Sequence, residues 1–143
     1  MKYMVLLLAV FVSLPGLAQQ TKAQVFISDE VISVNLDDDN SSRILSINAS
    51  QFSNNDVLKI RVENDLLARD WDRRFFIYDS TGNPVKDFVK LNDGSDCIKF
   101  SDLKQLLYPR KEYYIYTTAV PTDTQKAMMV KMGRTLVCKI KIL

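Results

Sequence analysis

Hydrophobic and polar residues alternate over short stretches of this chain, and no long amphipathic helix interrupts them. Residues 57–63 set Leu58, Ile60 and Val62 against Lys59, Arg61 and Glu63, and residues 31–36 alternate through Ile32, Val34 and Leu36. A period of two puts successive side chains on opposite faces of an extended chain, so both segments predict half-buried β-strands. Further strands are expected at 25–27, 44–47, 74–78, 85–91, 97–100, 113–120 and 135–143, the last alternating through Leu136, Cys138, Ile140 and Ile142. Between them lie turn-forming residues: Asp37 to Ser42, Asp79-Ser80-Thr81-Gly82-Asn83-Pro84, and Asn92-Asp93-Gly94-Ser95. Asp, Asn and Ser bond their own backbone in such turns, and Gly supplies the positive φ. Residues 64–73 and 101–106 read as a helical turn or loop, and residues 121–132 as the longest late loop. The pattern predicts an all-β fold, an antiparallel β-sandwich of about seven to eight strands.

The first residues follow a different pattern. Met1-Lys2-Tyr3-Met4 is short and basic, residues 5–12 are apolar without a break, and Ser13-Leu14-Pro15-Gly16-Leu17-Ala18 ends in small residues. This is the layout of a secretory signal peptide, with cleavage expected after Ala18. The run is too short for a permanent membrane span, and no cysteine follows it to carry a lipid. The expected product is a single domain of residues 19–143, secreted, periplasmic or held at the cell surface.

Composition narrows the chemistry. The chain has 19 basic and 17 acidic residues; Lys2 leaves with the signal peptide, so 18 face 17. Near-neutrality gives no field for nucleic acid. Histidine is absent, which removes the usual general base and the usual zinc ligand. Cys97 and Cys138, in an exported chain, predict a disulfide; such a link would be worth about 4 kcal/mol by loop closure. Two separate buried thiols are the alternative.

Three clusters could carry chemistry. Asp37-Asp38-Asp39 and Asn92-Asp93-Gly94-Ser95-Asp96 offer oxygens to calcium, but neither keeps the spacing of a full calcium loop, and a solvated turn is the preferred reading. Glu63, Asp70 and Asp72 bring carboxylates near Trp71; a glycosidase needs two carboxyls held across a cleft, and Arg69, Arg73 and Arg74 point to ion pairing instead. Asn40-Ser41-Ser42 and Asn48-Ala49-Ser50 fit the N-glycosylation acceptor, a common chance match. No metal, cofactor or catalytic residue is expected.

Leu107, Pro109 and Tyr113, followed by Ile115, Thr117 and Ala119-Val120, resemble the tyrosine corner of fibronectin type III and related immunoglobulin-like sandwiches. The resemblance implies that the chain crosses between sheets here, with the Tyr113 hydroxyl bonding back to the crossing backbone. A second resemblance covers residues 74–143. Ile77-Tyr78-Asp79-Ser80-Thr81-Gly82-Asn83-Pro84-Val85, Ile98 to Leu103, Tyr113-Tyr114-Ile115 and Lys139-Ile140-Lys141-Ile142 look like the C-terminal sorting domain of the Bacteroidetes type IX secretion system.

The corner fixes a parity. With Tyr113, Ile115 and Thr117 inward, Tyr114, Tyr116 and Thr118 face out. The neighbouring strand is expected at 74–78, and with Phe75 and Ile77 inward, Phe76 and Tyr78 emerge beside those tyrosines. A loop or terminal strand covering them is the alternative. Met128, Met129 and Met132 lie in the last loop among Lys126, Lys131 and Arg134, either as an adaptable contact surface or as the closure of one end of the core. The chain is therefore expected to be a non-enzymatic binding or adhesion module for a protein or glycan partner. Its predicted contacts are Phe76, Tyr78, Tyr114, Tyr116, Met128 and Met129. The alternative is a secretion or surface-assembly module.

Overall fold

Alternating residues pair into ten strands in a computed structural model that describes residues 21–36, 45–63, 65, 67 and 69–143. The strands are β1 (Lys22–Ile27), β2 (Glu30–Asn35), β3 (Leu45–Asn48), β4 (Val57–Glu63), β5 (Trp71–Asp79), β6 (Pro84–Asp87), β7 (Val89–Lys90), β8 (Asp96–Lys99), β9 (Glu112–Pro121) and β10 (Thr135–Lys141). Two α-helices, α1 (Phe100–Leu106) and α2 (Thr124–Met129), and a 3-10 turn at Ala49–Gln51 accompany them. The proposed signal peptide, the Asp37-Asp38-Asp39 cluster and Asn40-Ser41-Ser42 lie outside the described residues.

The strands form two five-stranded sheets, ordered β2-β1-β4-β8-β7 and β3-β10-β9-β5-β6. Every pairing is antiparallel except that of β3 with β10. The run β1-β4-β8-β7 of the first sheet and β5-β9-β10 of the second follow the strand order of an immunoglobulin-type sandwich. Inward residues of both sheets meet in one core: Val25, Leu58 and Ile60 from the first face Ile77, Ile115 and Ile140 from the second, all fully buried. Each such side chain contributes about 1.5–3 kcal/mol by leaving water. Phe100 and Leu103 of α1 close one end, with Phe52 stacked on Phe100 at 4.7 Å between ring centroids.

Residues 85–91 are not one strand. β6 pairs with β5 in one sheet and β7 pairs with β8 in the other. Phe88 is the pivot: its side chain is buried edge-on against Phe75, and its N–H donates to the Phe75 carbonyl at 3.0 Å. A run of uniformly strand-favouring residues hides this crossing.

The expected disulfide is absent. Cys97 and Cys138 are both free thiols. Cys97 is on β8 between the inward-facing Asp96 and Ile98, so its side chain leaves the outer face of the first sheet. Cys138 is on β10 of the second sheet and is wholly buried. With one thiol directed away from the core and the other into it from the opposite sheet, no bond joins them. The thiols are separate, but only Cys138 is buried; Cys97 is half-buried.

Candidate functional site

Beyond Leu107, α1 gives way to the tight corner that carries the chain to the second sheet. The Tyr113 hydroxyl accepts from the Tyr108 N–H at 2.9 Å, and the Tyr113 ring and Leu107 are buried. Pro109 occupies the first central position of a turn in which the Lys111 N–H donates to the Tyr108 carbonyl at 3.4 Å. The corner fixes where β9 starts and therefore which of its residues face out.

On β9, Tyr113, Ile115 and Thr117 are buried, while Tyr114 and Tyr116 are half-buried on the other face. On β5, Phe75 and Ile77 are buried and Phe76 and Tyr78 are half-buried. The register places Phe76 opposite Tyr116 and Tyr78 opposite Tyr114, so the four rings share one outer face. Tyr78 meets Tyr116 edge-on at 5.5 Å between centroids, Phe76 meets Tyr78 at 6.4 Å, and Tyr114 lies tilted 6.5 Å from Tyr116. These are the offset geometries that ring quadrupoles favour.

Two cations complete the face. The Arg134 guanidinium lies 4.5 Å from the Tyr78 ring centroid and 4.7 Å from that of Tyr116. The Lys139 ammonium lies 5.5 Å from the Tyr114 centroid and 3.2 Å from the Glu112 carboxylate. Such contacts are worth about 0.5–2 kcal/mol each, according to how far they are desolvated. Arg134 is the neighbour of this face that alternation could not find. It belongs to the segment before β10, outside any regular element, and reaches the face only because Gly133 is anchored: the Thr118 hydroxyl donates to the Gly133 carbonyl at 2.6 Å. The only cue in the sequence was a basic residue beside the methionine loop.

Met128 and Met129 end α2, a six-residue helix with none of its residues buried. The Asp123 carboxylate caps it, accepting from the Gln125 and Lys126 N–H groups. Met128 is 83% exposed and Met129 79%, with Val130 and Met132 exposed as well. The methionines do not close the core. They stand in water on the loop that leads to Arg134.

The other acidic clusters are accounted for locally. Asp93 pairs with Lys59 at 2.6 Å and accepts from the Ser95 N–H and hydroxyl; the Lys59 hydrogen bond, then those from Ser95, hold its carboxyl well below the usual range. Asp72 pairs with Lys90, and Arg73 grips Asp65 through two hydrogen bonds at 2.7 and 2.8 Å. Glu63 accepts from the Gln24 amide. The Asp79 carboxylate holds its own turn, accepting from the Thr81 hydroxyl and N–H and from the Asn83 N–H, bonds that lower its pKa. Among the described residues no group of three or more His, Cys, Asp or Glu is placed to hold a metal ion. No helix among them is long and apolar enough to cross a membrane.

No protein-family model matches this chain, and no curated protein or solved structure matches it either. The likeness to fibronectin type III and immunoglobulin modules is one of two-sheet architecture, and no match attaches the chain to those families or to type IX sorting domains.

Proposed function

We propose that this protein is an exported, non-enzymatic binding module whose aromatic face engages a protein or glycan partner outside the cytoplasm. The observation that carries the reading is the group of four half-buried rings on the outer face of β5 and β9, bracketed by Arg134 and Lys139. A sheet face turned to solvent is ordinarily polar, and contiguous aromatic area on such a face marks contact. Tyrosine suits the role because each ring adds area with little side-chain entropy and keeps a hydroxyl for a polar partner. The exposed Met128 and Met129 extend the apolar surface at the loop leading to Arg134, with side chains that repack easily.

The test compares the native protein with the variant Phe76→Ser, Tyr78→Ser, Tyr114→Ser, Tyr116→Ser, after circular dichroism shows that both are folded. Envelope and culture-fluid extracts and a glycan array are probed with each. Binding by the native face alone supports the reading and gives the partner's class; equal binding by both removes it. A secretion module recognised through its C-terminal strand is the weaker alternative, because β10 is paired on both sides, with β3 and with β9. Over Cys138–Lys141 both edges of β10 are taken, one by β3 and the other by β9. Deleting residues 139–143 would remove the last three of the seven residues of β10, a strand paired on both sides there, so it should unfold the domain and not merely divert it.

A further inference from the structure

A second site lies at the tyrosine corner. The turn Tyr108-Pro109-Arg110-Lys111 has its second central residue, Arg110, at φ +65°. With proline at the first position this is a type II turn, where glycine is the residue free of strain. An arginine there holds a left-handed backbone that its Cβ opposes. The strain brings no backbone bond that glycine would lack, since the Arg110 N–H donates to the Ile142 carbonyl at 2.7 Å whatever the side chain. What arginine adds is its guanidinium, and it adds it to a hollow.

The hollow has a volume of about 460 Å³ and opens between the β5–β6 turn and the corner. Val85, Leu106 and Tyr113 are among its lining residues, with Ser80 and Thr81 beside them; the Thr81 hydroxyl is engaged by Asp79 and Asn83. Its charges come from Asp79, Glu112, Arg110 and Lys111. Both carboxylates are engaged: Asp79 holds its own turn, and Glu112 pairs with Lys139 and accepts from the Tyr114 hydroxyl. Neither cation has a carboxylate partner among the described residues. The Lys111 ammonium rests 5.2 Å from the Tyr108 ring centroid, and the Tyr108 side chain is largely exposed.

We infer that this hollow binds a small organic anion, a carboxylate carried on a body of about one or two sugar rings. Arg110 is the principal anion contact, Lys111 the second, and the Tyr108 ring a flat wall. The volume falls within the range of small-ligand pockets, about 300–1,000 Å³. Arginine's planar fork matches a carboxylate, and backbone strain is retained where function uses the strained residue. None of the four rings of the aromatic face lines the hollow, so its failure leaves that proposal standing.

The experiment is a titration of the ¹⁵N-labelled protein with digalacturonate, followed by backbone amide shifts, with the dimethyl ester as the uncharged control. Inorganic phosphate in a parallel titration separates a carboxylate on a sugar body from any small anion. Digalacturonate is expected to move the amides of Tyr108, Arg110, Lys111 and Thr81, to bind at least about tenfold more tightly than ester or phosphate, and to weaken as salt rises. Arg110→Gly should keep or raise the melting temperature, because it relieves the turn, and should abolish the shifts at the other three positions. Lys111→Ala should weaken binding, while the four-serine face variant should bind as the native protein does. Three results would overturn the inference: no shifts at tens of millimolar digalacturonate, equal binding by ester or phosphate, or full binding by Arg110→Gly.

Discussion

The carboxylate of Asp96 enters the fold because β8 alternates: Asp96 and Ile98 turn inward, Cys97 and Lys99 outward. Asp96 is 3% exposed, and its Oδ1 has no hydrogen-bond partner among the described residues. Burial dominates its titration and pushes its pKa up to about 6, with the positive charges of Lys90 and Arg74 opposing and the negative charge of Asp72 assisting. The folded chain thus holds a proton that the unfolded chain has released between about pH 4 and pH 6. Stability from this group is therefore present in acid and is lost as the pH rises through that window. Asp56, Asp79 and Asp93 act with the opposite sign below about pH 4, since hydrogen bonds lower their pKa values. Asp96→Asn should raise the urea-unfolding free energy at pH 7.5 by about 1–2 kcal/mol. It should add little at pH 4, so the decline between the two pH values should flatten. An unchanged pH profile in the variant would assign that decline to another group.

The tyrosine corner and Phe88 are two of the places where the chain passes between the sheets, and the sequence disclosed them unequally. The corner was legible because a proline, a tyrosine and a leucine stand at fixed offsets, and offsets survive without knowledge of the fold. The crossing at Phe88 was not, because β6 and β7 differ only in which neighbour each pairs with, and pairing is nonlocal. Residues 101–106 read as a helical turn or loop and form α1, whereas α2 lies in a stretch read only as loop, since six residues are too few to show a helical period. Of the candidate site, the parity of β5 and β9 was readable from alternation, while Arg134 depended on a loop anchored by Thr118. Each crossing has its own test. Tyr113→Phe keeps the ring in the core and removes only the acceptor for the Tyr108 N–H, so it should cost about 1–2 kcal/mol in urea unfolding. Phe88→Ala empties a buried aromatic position against Phe75 and should cost about 3–4 kcal/mol. If Tyr113→Phe cost as much as Phe88→Ala, the hydroxyl would have to support more than one bond.

At the scale of the whole molecule, the sandwich is held by burial between its sheets and has no covalent link between Cys97 and Cys138. Counting cysteines in a chain expected to be exported favoured a bond because that count ignores parity. An inter-sheet disulfide needs both side chains directed into the gap, and β8 spends its two inward positions on Asp96 and Ile98. Cys97 lies half-exposed, with its thiol pKa raised by partial burial and by the neighbouring Asp96 charge. Cys138 is wholly buried, and desolvation pushes its thiol up to about 12. The thiolate is the reactive form, so the two should differ sharply in reactivity. In the native protein at pH 8 a maleimide should label Cys97 and leave Cys138 untouched over the same interval, while both should react in denaturant. Dithiothreitol should leave the melting temperature unchanged, since there is no loop to release. A lower melting temperature under reduction, or one disulfide found by mass spectrometry in denaturant, would require β8 to shift by one residue. That shift would carry Asp96 and Ile98 to the outer face and expose Ile98 to water. The core packed around Ile98 opposes it, which is why reduction should pass unnoticed by the fold.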